Sequence, residues 1–195
     1  MALITTLIFD FAGVIASDGY WLWFEKNVPN LDRHRSALKE LSILADSAAI
    51  FESEFIKRIS QTIGFPEEKI RNGILAHIII NKKIVNLIRS ARQKNYKIGL
   101  LTNFIAQWLR PILEINQLNE LFDAILISSE HRLIKPQREA FEKILQMLAA
   151  TPENTLFIDD RAVNVNAARN LGLDAIQFTA WTSLLEALTN RNIHL

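Results

Sequence analysis

The chain has 195 residues and a formal net charge of +1, with 22 basic and 21 acidic residues mixed along the sequence. This balance provides no basic face for nucleic acid, so we expect no nucleic-acid partner. The absence of cysteine excludes disulfides, thiolate metal sites and a cysteine nucleophile, and it favours a reducing, cytoplasmic location. No apolar run approaches about 18 residues, so we expect neither a membrane span nor a signal peptide.

The first predicted strand ends at an acidic residue. Residues 7–16, LIFDFAGVIA, begin with a nearly continuous apolar run, which is typical of a parallel strand buried on both faces. Asp10 lies at the end of this run, and Gly13 lies in the turn that follows. Because ligands bind beyond the carboxyl ends of parallel strands, Asp10 is a candidate functional residue. The alternative is that it only caps the turn.

The next segment, to about residue 83, is predicted to be helical. Aromatic residues cluster at its start, and we interpret them as internal packing, with a substrate-facing wall as the alternative: Tyr20, Trp21, Trp23 and Phe24. A second apolar group recurs every four residues and predicts one buried helix face: Phe51, Phe55, Ile59 and Ile63. A further helix is predicted from Glu67 to about Ile80. Within it, His77 is interpreted as a hydrogen-bonded core histidine.

The second strand, KIGLL, ends at two polar residues. It follows a helix that is predicted to start at Asn81 and to end at Asn95 in a left-handed conformation. Thr102 and Asn103 come after the strand, and the next helix is predicted to begin directly behind them. Free N–H groups at a helix start attract anions, so this junction is a candidate anion site. The alternative is that Thr102 or Asn103 is a simple helix cap.

Two later strands also end near charged residues. A third strand, AILI, is followed by a basic loop that contains Lys135, which Pro136 keeps in an extended conformation. The fourth strand, TLFIDD, ends in Asp159 and Asp160. Adjacent carboxylates repel each other unless a cation or hydrogen-bond donors relieve them. The alternative role of this pair is to cap the following helix.

A fifth strand, DAIQF, and a closing helix complete a regular alternation, which predicts an α/β fold with a parallel sheet covered by helices on both faces. The strand ends then offer a carboxylate, a hydroxyl, a loop lysine and a carboxylate pair. Asp10 and Asp160 are ligands of the type that Mg2+ prefers, and Thr102 and Lys135 would hold phosphoryl oxygens. Together they are suited to phosphoryl transfer to a carboxylate nucleophile.

Four motifs, FDFAGV, LLTN, the lysine of LIKP, and FIDDRAVNVNAA, occur in this order along the chain. They resemble the motifs of the haloacid dehalogenase superfamily, most of whose members are Mg2+-dependent phosphatases, and in particular its small helical-cap subgroup. The resemblance implies a Rossmann-like core of residues 1–14 and 84–195, interrupted by a small all-helical cap over residues 15–83. We therefore expect a small phosphate ester or related anion as the ligand, and a monomer or homodimer.

The resemblance also implies a role for each motif residue. Asp10 would be the nucleophile that forms an aspartyl-phosphate, and the main-chain carbonyl of Ala12 would be a metal ligand. Asp160 would bind Mg2+ directly, whereas Asp159 would bind it through water or orient the site. The remaining motif residues would hold the phosphate, and the lysine among them would also be catalytic: Thr102, Asn103 and Lys135.

One position departs from the family pattern. Phosphatases of the superfamily usually carry a second Asp two residues after the nucleophile, where this chain has Ala12. That Asp acts as general acid and base, a contribution worth about 10² to 10⁴ in rate. We therefore expect a weak or specialised phosphatase, with Asp18 or Glu25 as the residues that would supply the proton instead.

Two alternatives remain open. The chain would be a non-catalytic phosphate-binding protein if Ala12 abolishes turnover. It would be a phosphonatase-like C–P hydrolase if a cap lysine forms a Schiff base above Asp10, because phosphonatases of the superfamily also have alanine at this position. The candidate cap lysines are Lys26, Lys39, Lys57 and Lys69.

Overall fold

The computed structural model describes residues 3–195, which contain a five-stranded, fully parallel sheet. Its strands are β1 (Thr6–Phe9), β2 (Lys97–Thr102), β3 (Ala124–Ile127), β4 (Thr155–Asp159) and β5 (Asp174–Gln177). They lie in the order β3-β2-β1-β4-β5, so β1 is the central strand. The predicted α/β class and parallel sheet are confirmed.

Ten α-helices accompany the sheet within residues 3–195. They are α1 (Gly19–Asn27), α2 (Arg35–Asp46), α3 (Glu52–Ile63), α4 (Glu67–Ala76), α5 (Lys82–Gln93), α6 (Ala106–Ile115), α7 (Ser128–His131), α8 (Arg138–Leu148), α9 (Ala162–Asn170) and α10 (Trp181–Thr189). Helices α5, α6 and α10 pack on one face of the sheet, and α8 and α9 pack on the other. Leu7 and Phe9 point to the first face and Ile8 to the second, because side chains alternate along a strand. The Rossmann-like arrangement is thereby confirmed.

Helices α1–α4 form a helical insert between β1 and β2, defined here as residues 18–76. The insert forms most of a third hydrophobic cluster, which includes Trp23, Phe24, Leu38, Phe55 and Ile59. Ile105 and Trp108, from outside the insert, complete this cluster. The segment that leaves β1 and the segment that returns to α5 lie side by side. The N–H of Ser17 donates to the carbonyl of Ile79 at 3.0 Å, and the N–H of Asn81 donates to the carbonyl of Ile15 at 2.8 Å. Both connections therefore place the insert beside the carboxyl end of β1.

The insert differs from the sequence expectation in two details. Helix α4 ends at Ala76, earlier than predicted, because the following segment turns back to pair with the chain after β1. Phe51, expected on a buried helix face, is 81% exposed at the N-cap of α3. His77 is hydrogen bonded as expected, with Nδ1 2.7 Å from the carbonyl oxygen of Gly73. Within residues 3–195, no helix is both long enough and apolar enough to cross a bilayer.

Candidate active site

Polar residues that follow β1, β2 and β4 meet at one edge of the sheet. Asp10 comes directly after β1, Thr102 ends β2 and Asp159 ends β4. Lys135 joins them from the loop between α7 and α8. All four side chains are buried, although such groups usually lie at the surface. The fold therefore collects the predicted site residues of three strands and one loop in a single buried place.

Lys135 bridges two of these carboxylates. Its Nζ lies 2.9 Å from Oδ1 of Asp10 and 2.6 Å from Oδ2 of Asp159. Burial alone would lower the pKa of the Lys135 ammonium, but the charges of the two carboxylates outweigh this effect and raise that pKa. Lys135 therefore remains a cation at the centre of the site.

Asp159 is a fully hydrogen-bonded carboxylate. Besides Lys135, the N–H of Arg161 donates to it at 2.8 Å and Nδ2 of Asn164 donates to it at 3.1 Å. Burial would raise the pKa of Asp159, but the charge of Lys135 and these hydrogen bonds lower it below its usual value. Of the two roles implied for Asp159, these contacts favour orientation of the site.

Asp10 and Asp160 are the carboxylates whose charge is poorly compensated. Oδ1 of Asp10 accepts a hydrogen bond from the N–H of Phe11 at 2.7 Å as well as the contact with Lys135. Burial nevertheless raises the pKa of Asp10 to about 8, and the neighbouring carboxylates add to the shift. Burial and the charge of Asp159 raise the pKa of Asp160 to about 6. Oδ1 of Asp160 is buried and has no hydrogen-bond partner in residues 3–195.

This carboxylate cluster fits a divalent cation. One carboxylate oxygen from each of Asp10, Asp159 and Asp160 lies within 4.8 Å of the others. Because donors already occupy the oxygens of Asp159, Asp10 and Asp160 are the available ligands. Ala12 lines the same cleft and is the residue whose carbonyl was expected to join them. Carboxylate and carbonyl oxygens are the ligands that Mg2+ prefers.

The turn after β1 depends on glycine. Gly13 has a φ angle of 83°, in the left-handed region that favours glycine. A Cβ atom at this position would lie 2.5 Å from both Cγ and Oδ2 of Asp160, which is much closer than atoms can approach. The turn backbone therefore packs directly against the Asp160 carboxylate and restricts the positions that this carboxylate can occupy.

Thr102 and Asn103 have different surroundings. Thr102 is fully buried, and its Oγ1 has no hydrogen-bond partner in the described part of the chain. The side chain of Asn103 instead holds the main chain of Lys135, with Oδ1 accepting from the Lys135 N–H at 2.8 Å and Nδ2 donating to its carbonyl at 2.9 Å. Both residues were predicted to bind phosphate. The side-chain contacts of Asn103 hold the main chain of Lys135, and phosphate binding by Asn103 stays a prediction.

The helix after β2 does not begin where it was predicted. Helix α6 starts at Ala106, and the N–H groups ahead of it are partly occupied. Oγ of Ser128 accepts from the N–H of Phe104 at 3.0 Å, and Oγ of Ser129 accepts from the N–H of Ala106 at 2.9 Å. The expected coincidence of strand end, hydroxyl and free helix N-terminus is therefore wrong, because the first two residues of α7 cap this turn.

A cleft lies between the carboxylate cluster and the helical insert. The core lines it with Asp10, Ala12, Asn103, Lys135, Asp160, Arg161 and Asn164. The insert lines it with Asp18, Tyr20, Trp21, Ser42, Asp46, Phe55 and Ile74. Trp108 of α6 and the residues before that helix add further apolar surface. The cleft thus has a charged floor and a wall that is largely aromatic.

The aromatic cluster at the start of the insert is divided between the two roles considered for it. Trp23 and Phe24 are buried in the hydrophobic core of the insert, as the packing interpretation expects. Tyr20 and Trp21 line the cleft, as the alternative of a wall expects. The packing interpretation therefore holds for Trp23 and Phe24, whereas Tyr20 and Trp21 both pack against this core and line the cleft.

The two acids considered as replacements for the missing carboxyl at Ala12 lie in different places. Asp18 lines the cleft, where burial raises its pKa. Glu25 is exposed, lies 3.7 Å from Arg35 and does not line the cleft, so the expectation that it could supply the proton is wrong.

The phosphonatase-like alternative requires a lysine above Asp10. In the described part of the chain, the candidate cap lysines are all exposed and none lines the cleft: Lys26, Lys39, Lys57 and Lys69. The residue that would form the Schiff base is therefore absent from this cleft, and that alternative loses its support.

Three charged or amide-bearing cleft residues were not predicted from the sequence. Asn164 lies inside the fourth motif, and its offset from Asp159 places it one turn into α9, which is the signal that could have identified it. Arg161 follows the acid pair directly. Asp46 is an isolated acid at the end of α2, and nothing in its sequence context separates it from a solvated residue. Burial and the charge of Asp18 raise the pKa of Asp46 to about 7.

Comparison with known proteins agrees with this geometry. The family model described as haloacid dehalogenase-like hydrolase matches residues 7–178. Curated relatives include the pyrophosphatase PpaX of Bacillus mycoides, which is 26% identical over 99 residues. The aligned region is 51% of this chain and 46% of the relative, so the match spans about half the length of such relatives.

Solved structures share the fold over nearly the whole chain. A haloacid dehalogenase family enzyme of Bacteroides thetaiotaomicron has a TM-score of 0.76 and 20% identity, and the match covers 94% of this chain and 99% of that chain. That enzyme is also known in complex with magnesium and inorganic phosphate. The L-2-haloacid dehalogenase of Xanthobacter autotrophicus has a TM-score of 0.68 and 18% identity, and the match covers 98% of this chain and 85% of that chain. With the family model matching most of the sequence and these structures sharing its fold, the chain belongs to the haloacid dehalogenase-like hydrolases.

Proposed function

We propose that the protein is a Mg2+-dependent phosphatase that acts on small phosphorylated metabolites through an aspartyl-phosphate on Asp10. The observation that carries this proposal is that two of the four buried side-chain oxygens without partners in residues 3–195, Oγ1 of Thr102 and Oδ1 of Asp160, belong to strand ends of this site. Buried polar atoms are nearly always hydrogen bonded, so two such atoms at one sheet edge indicate ligands that the chain does not supply. A phosphoryl group and a metal cation would satisfy them.

Asp10 is the nucleophile in this mechanism. The N–H of Phe11 and the ammonium of Lys135 hold its Oδ1 and thereby fix the orientation of the carboxylate. Attack on phosphorus requires the ionised carboxylate, whereas burial raises the pKa of Asp10 to about 8. When bound by Asp10, Asp160 and the carbonyl of Ala12, Mg2+ supplies positive charge that favours ionised carboxylates and offsets the charge of the phosphoryl oxygens.

The phosphoryl group is held by residues from two other elements. The hydroxyl of Thr102 donates to one phosphoryl oxygen, which satisfies its unpartnered Oγ1. The ammonium of Lys135 has three N–H donors, of which two face Asp10 and Asp159, so one is left for a phosphoryl oxygen. Asn103 fixes the main chain of Lys135 on both sides and so positions that donor.

Ala12 limits both halves of the reaction. Without a carboxyl at this position the leaving oxygen is not protonated by residue 12, and no side chain there activates the water that hydrolyses the aspartyl-phosphate. Leaving groups that depart as stable anions, such as phenolates, should therefore react faster than sugar or alkyl oxygens. Asp18 lines the cleft and is the candidate substitute for the missing acid.

We also propose that the helical insert acts as the cap of this site, with the cap spanning residues 15–83 and the core formed by residues 1–14 and 84–195. The hydrophobic cluster that its helices form and its paired connections at Ser17 and Asn81 support a compact insertion at this position. Its side chains line the cleft opposite Asp10, so they would contact the leaving group and select among substrates.

A second candidate function is phosphate binding without turnover, and Ala12 is the observation that favours it. Both functions predict that phosphate and Mg2+ bind, so only chemistry separates them. The purified protein should be incubated with p-nitrophenyl phosphate, pyrophosphate, and sugar and amino-alcohol phosphates, with Mg2+ or with EDTA. The pyrophosphate is included because the curated relatives are named pyrophosphatases.

We expect Mg2+-dependent phosphate release and a phosphoryl adduct on the peptide that contains Asp10, detected by mass spectrometry after acid quenching. Asp10→Asn should abolish both. Thr102→Val, which preserves shape and removes the hydroxyl, should weaken phosphate binding and turnover by at least about tenfold, since a hydrogen bond to a charged group is worth about 1.5 to 3 kcal/mol. Phosphate binding with neither release nor adduct for any substrate would establish the binding-protein alternative instead.

A further inference from the structure

The helical insert brings two carboxylates to the cleft for which the proposed mechanism names no bound partner: Asp18, considered above only as a substitute acid, and Asp46. Asp18 precedes α1, where its Oδ1 accepts a hydrogen bond from the N–H of Trp21 at 3.2 Å. Asp46 is the last residue of α2, and its carboxylate is influenced by burial and by the charges of Asp18, Arg161 and Lys135, with no hydrogen bond among the described residues. Both line the cleft, on the side where the leaving group of a bound phosphate ester would lie.

The charges along the cleft leave this pair uncompensated. The carboxylates that line it are those of Asp10, Asp18, Asp46 and Asp160, whereas the cationic side chains are those of Lys135 and Arg161. Lys135 is already engaged between Asp10 and Asp159. A metal ion and a phosphoryl group at the floor would engage each other and Lys135, which leaves only Arg161 to balance Asp18 and Asp46.

An additional acceptor points the same way. Asn164 is 1% exposed and lines the cleft, and its Oδ1 has no hydrogen-bond partner in residues 3–195. Its Nδ2 is already used on Asp159. A buried acceptor without a donor favours a cationic ligand in the cleft, either the metal proposed at the floor or an ammonium group beside it.

The wall beside these acceptors is aromatic and held in place. Tyr20 and Phe55 are stacked with ring centroids 5.9 Å apart, and the Tyr20 hydroxyl donates to the carbonyl of Leu38 at 2.7 Å. Nε1 of Trp108 donates to Oε1 of Glu52 at 3.1 Å. These contacts fix the rings before any ligand binds. Carboxylates combined with preorganised aromatic rings are the chemistry that binds ammonium groups.

We propose that this side of the cleft is a subsite for a positively charged leaving group, so that the substrate is the phosphate monoester of an amino alcohol or quaternary-ammonium alcohol. For the phosphate end, this inference rests on the proposed phosphatase function. It also distinguishes this chain from an enzyme for pyrophosphate, because Asp18 and Asp46 would repel a second phosphate as leaving group.

The chemistry is consistent with Ala12. Attack by Asp10 forms its bond to phosphorus and breaks the bond between phosphorus and the ester oxygen, which departs as the alkoxide of the amino alcohol and takes its proton from water. Water then hydrolyses the aspartyl-phosphate to inorganic phosphate and restores Asp10. A positively charged nitrogen close to the departing oxygen stabilises the alkoxide, so such a substrate depends less on the general acid that position 12 lacks.

The subsite is tested by binding alone, before any turnover. Calorimetry with choline and with its uncharged isostere 3,3-dimethylbutanol, each in the presence of Mg2+ and inorganic phosphate, compares equal shapes with and without charge. Burial raises the pKa of the Asp46 carboxyl to about 7. The measurements are therefore made at about pH 8, where this carboxyl is mostly ionised. We expect choline to bind at least about tenfold more tightly than the isostere.

Variants then locate the effect. Asp46→Asn and Asp18→Asn should each reduce the preference for choline by at least about threefold, and the double variant should remove it. Glu40→Gln is the matched control, because it makes the same change on the exposed side of the same helix. With active protein, kcat/KM for phosphocholine should exceed that for 3,3-dimethylbutyl phosphate and for pyrophosphate.

Equal binding of choline and the isostere to the wild type would overturn the subsite, and this comparison needs no variant to fold. A preference for choline that Glu40→Gln reduces as much as Asp46→Asn would also overturn it. Selective choline binding without hydrolysis of any ester would support the subsite and contradict the phosphatase function. Hydrolysis without preference for the charged ester would do the reverse.

Discussion

Replacing Lys135 with methionine would leave two buried carboxylates facing each other without a cation. The Asp10 and Asp159 side chains are 8% and 0% exposed, so water cannot take over the contacts that the ammonium makes. Breaking a buried ion pair by removing one partner costs about 3 to 5 kcal/mol. For a chain of this length, each kcal/mol lowers the Tm by about 2 to 4 °C, so the Tm of Lys135→Met should fall by about 6 to 20 °C.

The size of this loss should depend on pH. In the wild type, the pKa of Asp159 is lowered, so this carboxylate stabilises the folded state at pH values above the ordinary carboxyl pKa. That stabilisation is lost as the pH falls through the lowered pKa. Without Lys135 that contribution disappears, and the pKa of Asp10, already about 8, rises further. A raised carboxyl pKa favours the folded state at acidic pH and destabilises it as the pH rises. The variant should therefore differ least from wild type near about pH 5 and most near about pH 9.

Urea denaturation of both proteins in EDTA at these two pH values gives the free energies of unfolding. Lys39→Met is the control, because Lys39 is exposed on α2 and should change stability by less than about 0.5 kcal/mol. A loss below about 1 kcal/mol for Lys135→Met near pH 9 would contradict a buried ion pair. A loss that is largest at acidic pH would contradict the assignment of charge to Asp10 and Asp159.

The remaining predictions concern the metal and the turn after β1. Calorimetry should show Mg2+ binding to the wild type and to the exposed control Asp32→Ala but not to Asp160→Ala; equal binding by all three would remove Asp160 from the site. Because Mg2+ must displace the proton of Asp10, whose pKa is raised to about 8, its affinity should increase with pH and level off above about pH 8; a pH-independent affinity would exclude Asp10 as a ligand. Ala12→Asp should raise phosphatase turnover by at least about tenfold, measured as kcat with an alkyl phosphate, and no gain in a folded, Mg2+-binding variant would mean that another group already donates the proton. Gly13→Ala should destabilise the fold by about 1 to 3 kcal/mol in thermal unfolding, because its Cβ would collide with Asp160 at a φ angle of 83°, and an unchanged Tm would show that the turn can move.

Features that depend on neighbouring residues were predicted well. The apolar runs identified the strands, and Asn81 and Asn95 marked a helix correctly, the first as its side-chain cap and the second with a φ angle of 63° after its end. The acids at the ends of β1 and β4 could be recognised because a charged residue directly after a buried strand is unusual. Parallel pairing then brings those ends together without further information from the sequence.

Features that depend on pairs of residues far apart in the sequence were missed. The contact between Asn103 and Lys135 joins two loops, and neither residue type indicates a partner. The occupied N–H of Phe104 depends in the same way on Ser128. Asp46 reaches the cleft only because α2 packs in the insert with its end toward the core, which is a property of tertiary packing. Hydrophobic periodicity contains none of these relations.

The hydrogen bond between Trp108 and Glu52 joins α6 of the core to α3 of the insert, and Glu52 is held in turn by Arg71 at 2.6 Å. Any movement of the insert away from α6 breaks this bond and exposes an indole that is now 8% accessible. Water around an excited indole shifts its emission to longer wavelength, so the fluorescence of Trp108 would report movement of the insert away from α6. Stopped-flow fluorescence would time that motion. Comparison with Trp108→Phe would separate the change at Trp108 from that at Trp21, which also lines the cleft.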